Sequence, residues 1–240
     1  MKFVLFCNLP YAFSILYPIA QAFDLNQDEY IWFIPRGIHH HFPYDDTKTT
    51  SELQEIMLFK PDAIFVPGND VPYFLDGLKV QIFHGLAGEK KGHFRIRGHF
   101  DLYLTQGPYF TDRFLKLSKK YKNFDVIETG WCKLDPLYSH SALAVKYKNE
   151  LLKNHNAKKI LLYAPTFSPS LTSAEIMLEH MEKIASIKDT LIIIKFHDKM
   201  DKAIIEKYHD IVSSSILISQ KQDIIELLQI ADVMISDTSS

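Results

Sequence analysis

The sequence is poor in the features that define several protein classes. Of its 240 residues only two are cysteines, Cys7 and Cys132, and they stand far apart. Two distant thiols build neither a disulfide framework nor a cysteine zinc site, which points to a reducing, cytoplasmic setting. Neither sign of charge is in excess: 27 Lys and Arg face 29 Asp and Glu, a formal net charge of −2. A nucleic-acid-binding coat normally carries a strong basic excess, so no nucleic-acid partner is expected. No apolar run approaches the ~18–20 residues of a membrane span. Pro10 interrupts the opening apolar stretch before it becomes the core of an export signal. There is no G-x-G-x-x-G, no P-loop and no G-x-S-x-G elbow. Hydrolase and conventional dinucleotide readings lose support accordingly.

What is present is the material of a packed α/β protein. Hydrophobic residues make up 47% and aromatics 13%, enough for a substantial core, and the length suits one large domain or two of ~100–150 residues. Short apolar runs alternate with longer amphipathic segments. Strands are expected at 2–7, 30–34, 63–66, 80–83, 102–105 and 126–128, with helices at 11–23, 51–59 and 110–122. A second series follows: helix 142–154, strand 159–163, helix 173–187, strand 191–195, helix 202–212, strand 215–218, helix 223–231 and strand 233–236. This order indicates parallel sheets, and two Rossmann-like halves are expected, 1–138 and 139–240. The sequence ends just after a strand, where such folds hold ligands, so the second half is expected to be truncated at its C-terminus.

Candidate reactive residues fall at strand ends. His84-Gly85 follows the run 80–83; a histidine there suits a general base near neutral pH, and Gly85 is expected to permit a sharp turn and leave room for a ligand. Residues 89–99 bring four Lys or Arg together with glycines, the composition of an anion-facing loop or of a solvated charge run. Gly130-Trp131-Cys132-Lys133-Leu134-Asp135, Tyr163-Ala164-Pro165-Thr166 and Lys195-Phe196-His197 each follow a strand, and Ser236-Asp237-Thr238-Ser239-Ser240 ends one in a hydroxyl-rich loop able to hold a phosphate. His39-His40-His41 are adjacent and have no ligand-spaced partners, so no metal is expected there.

Taken in order, His84-Gly85, residues 130–135, Tyr163-Ala164-Pro165-Thr166, Lys195-Phe196-His197 and Ser236-Asp237-Thr238-Ser239-Ser240 resemble the CDP-glycerol glycerophosphotransferase family, over roughly residues 79–240. The resemblance implies a two-domain fold of glycosyltransferase-B type: an acceptor-side first domain and a donor-binding second one. It implies transfer of glycerol phosphate, or a related polyol phosphate, from CDP-glycerol to an acceptor hydroxyl with release of CMP, in cell-envelope polymer synthesis. CDP-glycerol is then a substrate, and no cofactor is implied. By the same resemblance His84 is the base and His197 contacts the donor phosphates. Asp237, Thr238, Ser239, Ser240 and Thr166 belong to donor binding, and Gly85, Lys133 and Lys195 line the cleft or meet phosphate. Lys133, Ser168, Asp198 and Thr238 depart from residues common in the family, which bears on the polyol and on donor geometry.

The family's lipid-linked or polymeric glycan acceptors imply a location at the inner face of the cell membrane. The helix at 110–122, with Arg113, Lys116, Lys119, Lys120 and Lys122 beside the stripe Phe110, Phe114, Leu117 and Tyr121, suits either anionic lipid or simple cover for the sheet. Two other classes remain open: a nucleotide-sugar glycosyltransferase or sugar-nucleotide epimerase on the same fold, and a non-catalytic envelope-assembly protein.

Overall fold

A computed structural model describes residues 1–45, 48–86, 93–139, 141–221 and 223–237. The chain forms two compact units, Met1–Asp135 and Pro136–Ser240.

The first unit begins with β1 (Lys2–Phe6), α1 (Tyr11–Asn26) and β2 (Glu29–Phe33), then β3 (Thr49–Thr50), α2 (Leu53–Phe59), β4 (Ala63–Val66) and β5 (Leu78–Gln81). It ends with β6 (Leu102–Thr105), α3 (Pro108–Tyr121) and β7 (Asp125–Glu128). The strands form one sheet in the order β3-β2-β1-β4-β5-β6-β7, and every pairing is parallel. β1 is apolar on both faces because both are covered. Phe3, Leu5 and Cys7 face α1 through Phe13, Leu16 and Ala20, while Val4 and Phe6 join Ile56, Phe110 and Phe114 on the other side. That alternation is the period of a pleated strand. Gly77 sits in the turn into β5 at φ +84°, where an added Cβ would lie 2.3 Å from the Pro61 carbonyl oxygen.

The amphipathic helix expected at 110–122 is α3. Pro108 occupies its first turn, a position that suits proline, and Lys122 closes it in the left-handed region, where its N–H reaches the Ser118 carbonyl. Its stripe packs on the sheet: Phe110 is 6% and Phe114 1% exposed, each contributing roughly 1.5–3 kcal/mol by burial. Tyr121 does not join them and is 47% exposed. Among the described residues no helix is long and apolar enough to cross a membrane.

The second unit contains α4 (Ala142–Asn154), β8 (Lys159–Ala164), α5 (Ala174–Ala185), β9 (Thr190–Ile194), α6 (Lys202–His209), β10 (Ile216–Ile218), α7 (Ile225–Ile230) and β11 (Val233–Ser236). Its parallel sheet runs β10-β9-β8-β11. Ser141 caps α4 by accepting from the Ala144 N–H at 3.2 Å, and Asp201 caps α6 by accepting from Ala203 at 2.9 Å. Tyr163, Ile192 and Ile194 pack toward α5 and α6, while Ile160, Leu162, Leu191 and Ile193 pack toward α7 and α4.

In each sheet the strand order reverses at one place, between β1 and β4 and between β8 and β11. Open α/β sheets bind ligands outside the carboxyl ends of their strands at such switch points.

Candidate active site

In the first unit the carboxyl ends of β1, β4 and β5 converge on His84. The sheet ladder continues for one bond beyond β5, from the Ile82 N–H to the Val66 carbonyl. Phe83 then adopts φ +64°, a left-handed conformation that costs a bulky residue on the order of 1 kcal/mol or more. Its ring is held in the core against Tyr103, Phe110 and Phe114. Aromatic burial thus stabilises the turn, and the turn carries His84 out to the exposed sheet end. This corrects the role expected for Gly85. Only Gly77, Gly98 and Gly130 have positive φ among the described glycines, so Phe83, not Gly85, makes the turn. Gly85 does leave space: an added Cβ would meet nothing within 4 Å.

The His84 Nδ1 lies 2.9 Å from the Pro67 carbonyl oxygen. A carbonyl only accepts, so Nδ1 carries the hydrogen and the neutral ring presents its lone pair at Nε2. That is the tautomer a general base requires. The Gln81 Nε2 also donates to Pro67 at 3.4 Å, and the Gln106 Nε2 donates to the Gly85 carbonyl at 2.6 Å, so the loop is held from β5 and from the end of β6. The Tyr11 ring stands 5.2 Å and the His93 ring 6.2 Å from the imidazole.

In the second unit Asp237, just past β11, accepts from the Thr166 N–H at 2.6 Å, from the Ser173 N–H at 2.7 Å and from the Ser173 hydroxyl at 2.9 Å. It ties the loop after β8 to the start of α5. Thr166 is 6% exposed, and its neighbour Phe167 places its ring 4.4 Å from His197. The His197 Nδ1 accepts from the Lys199 N–H at 3.0 Å. An amide N–H only donates, so the proton of this neutral imidazole resides on Nε2. The two histidines are therefore held in opposite tautomers, His84 with an acceptor at Nε2 and His197 with a donor. The Lys195 side chain is 12% exposed; its Nζ donates to the Phe196 carbonyl at 2.7 Å and lies 3.7 Å from Asp198.

The structure thus gathers Thr166, Lys195, His197 and Asp237 at the ends of β8, β9 and β11. It places Lys133 in the first unit, with its Nζ 6.0 Å from the Trp131 ring, and the neighbouring Cys132 thiol donates to the Ile15 carbonyl at 3.2 Å on α1. Thr238, Ser239, Ser240 and residues 87–92, which include Lys90 and Lys91 of the basic loop, lie outside the described residues. Sequence reasoning missed Asn8, Tyr11, Pro67, Gly68, Gln81 and Gln106. The signal was present in Asn8-Leu9-Pro10 after β1 and Pro67-Gly68-Asn69-Asp70 after β4, turn-forming residues at strand ends. Among the described residues no group of three His, Cys, Asp or Glu is placed to hold a metal ion.

Two parallel α/β units with polar clusters at their strand ends follow the plan of the glycosyltransferase-B fold class. The sequence matches the family of CDP-glycerol:poly(glycerophosphate) glycerophosphotransferases over residues 80–240, well over half the chain, and the protein belongs to that family. Solved structures agree on the fold. The wall teichoic acid polymerase TagF matches with a TM-score of 0.68 at 18% identity, over 100% of this chain and 66% of its own. The S. aureus MnaA–UDP co-structure matches at 0.68 and 15% identity, over 98% of this chain and 73% of that one. The UDP-GlcNAc 2-epimerase from Neisseria meningitidis bound to UDP-GlcNAc matches at 0.61 and 15%, over 98% and 77%. No curated protein sequence matches the chain.

Proposed function

We propose that this glycerophosphotransferase-like enzyme moves glycerol phosphate, or a related polyol phosphate, from CDP-glycerol to an acceptor hydroxyl during synthesis of a teichoic-acid or capsule-type polymer. The observation that carries the reading is the hydrogen bond from His84 Nδ1 to Pro67, which leaves Nε2 as the proton acceptor. The acceptor O–H gives its proton to Nε2 as its oxygen attacks the phosphorus that bears glycerol. A new P–O bond forms, the bond to the bridging oxygen breaks, and its electron pair leaves on CMP. Such transfers depend mainly on positioning and charge stabilisation. His197, donating from Nε2, suits a phosphate oxygen of the donor, and the loop tied by Asp237 suits the remainder of that site.

CMP release from CDP-glycerol tests this, with a lipid-linked glycerol-phosphate acceptor present and CDP-ribitol and UDP-sugars in parallel. A CDP-polyol should be turned over, and His84→Ala should lower the rate by about 10²–10⁴-fold, the usual contribution of a general base. Turnover of a UDP-sugar alone would move the protein to the nucleotide-sugar glycosyltransferase or epimerase alternative. Undiminished CMP release by His84→Ala would remove the base assignment.

A further inference from the structure

The switch point between β1 and β4 holds polar groups that neither the proton transfer nor the donor contacts use. Tyr11 opens α1 directly after β1. Its hydroxyl is 3.8 Å from where a Cβ on Gly68 would stand, and the Asn8 Nδ2 is 3.7 Å from the same point. The Asn8 Nδ2 donates to the Asp70 carbonyl at 3.0 Å, which anchors that side chain across the crevice from β1 to the loop after β4. Gly68 directly follows Pro67, whose carbonyl orients His84. The Tyr11 ring faces the imidazole at 5.2 Å, and the residue remains 37% exposed. Burial, then the nearby Cys7 and Asp70, raise the Tyr11 pKa, so the phenol keeps its proton and remains a donor. A hydrogen-bond donor and the base's ring share one strand-end crevice, and the buried Gly68 lies in ordinary contact range of that donor.

We infer that Tyr11 binds the acceptor: its phenol donates a hydrogen bond to an oxygen of the polyol and holds the attacking hydroxyl at the Nε2 of His84. The ligand class is a polyhydroxylated chain end bearing at least one oxygen besides the nucleophile. This rests on the proposed transfer reaction and adds a residue to its acceptor side.

Steady-state CMP release by the full chain, varying acceptor and CDP-glycerol separately, tests the assignment. Tyr11→Phe removes one oxygen and preserves the ring that packs beside His84. It should raise the acceptor KM about three- to tenfold, the loss of one neutral hydrogen bond, and leave the CDP-glycerol KM unchanged. Gly68→Ala adds a methyl in ordinary contact with Asn8 and Tyr11; it should fold with an unchanged Tm and also raise the acceptor KM. Wild-type acceptor kinetics in Tyr11→Phe, with His84→Ala inactive, would overturn this inference and leave the transfer reaction standing. A change confined to the CDP-glycerol KM would also overturn it. No CMP release by the wild type from any CDP-polyol would remove the reading and this inference together.

Discussion

His84 and His197 occupy similar places, each just past a parallel strand, yet their backbone partners give them opposite chemistry. A carbonyl faces Nδ1 of the first and an amide N–H faces Nδ1 of the second. The distinction predicts different tolerance to glutamine, whose amide nitrogen can imitate an Nε2–H donor but whose side chain cannot take a proton near neutral pH. His197→Gln should therefore retain clearly more CMP release than His197→Ala. His84→Gln should be as inactive as His84→Ala. Equal loss in His197→Gln and His197→Ala would mean that the ring, with its Phe167 contact, matters more than its N–H. The sequence displayed both histidines but not their tautomers, because the deciding partners are main-chain atoms. Pro67 lies seventeen residues before His84, and a carbonyl leaves no mark in residue type. Tyr11 was concealed differently: it sits where an amphipathic helix begins and reads as one more aromatic of its first turn.

At the scale of elements, Asp237 links two loops through three hydrogen bonds that its one carboxylate accepts. The resemblance places this residue with the donor; the structure gives it a supporting task as well. Asp237→Asn replaces one acceptor oxygen by an NH2 that cannot accept, so either the Thr166 N–H or the two Ser173 donors lose their partner. It should cost about 1–3 kcal/mol of stability, as for a half-buried network left incomplete, and loosen the loops at Thr166 and Ser173. Denaturant unfolding with CMP release on the same variant separates the roles: a residue that only touches donor would raise the donor KM at unchanged stability. Strands with sustained apolar character, such as β4, β6 and β11, were legible residue for residue in the sequence. β3 was not, since two threonines carry no periodic signal. β5 was placed too late, at 80–83 against Leu78–Gln81, because Ile82 and Phe83 are apolar for another reason. They plug the core beside the turn that presents His84, and tertiary packing overrides the local pattern.

Across the whole molecule the ionisable groups with altered pKa values set both limits of its pH stability. On the acid side, the hydrogen bond from Lys48, helped by Tyr30, holds Asp24 below the usual carboxylate range. Burial pushes Asp232 up, but Lys148 and the Ile160 N–H outweigh it and leave that carboxyl low as well. A lowered folded pKa contributes stability above the unfolded value and loses it as pH falls through the folded one. Both groups are solvent-accessible, so each is worth under about 1 kcal/mol, and the acid limb should be shallow. On the alkaline side, burial pushes Cys132 and Tyr103 each up to about 12, and burial also raises Cys7, Tyr163 and Tyr208. Here the sign reverses. Stability is fully present below the unfolded values of 9.0 for cysteine and 10.0 for tyrosine, and is lost as pH rises from there through the folded values, because the unfolded chain releases these protons first. Denaturant midpoints across pH should therefore fall more steeply above about pH 9 than below about pH 4. Tyr103→Phe removes one ionisation from the core around Phe114 and Phe124 and should make the alkaline limb shallower while leaving the acid limb unchanged. An unaltered alkaline slope in Tyr103→Phe would show that the phenol ionises as readily in the folded protein as in the unfolded chain.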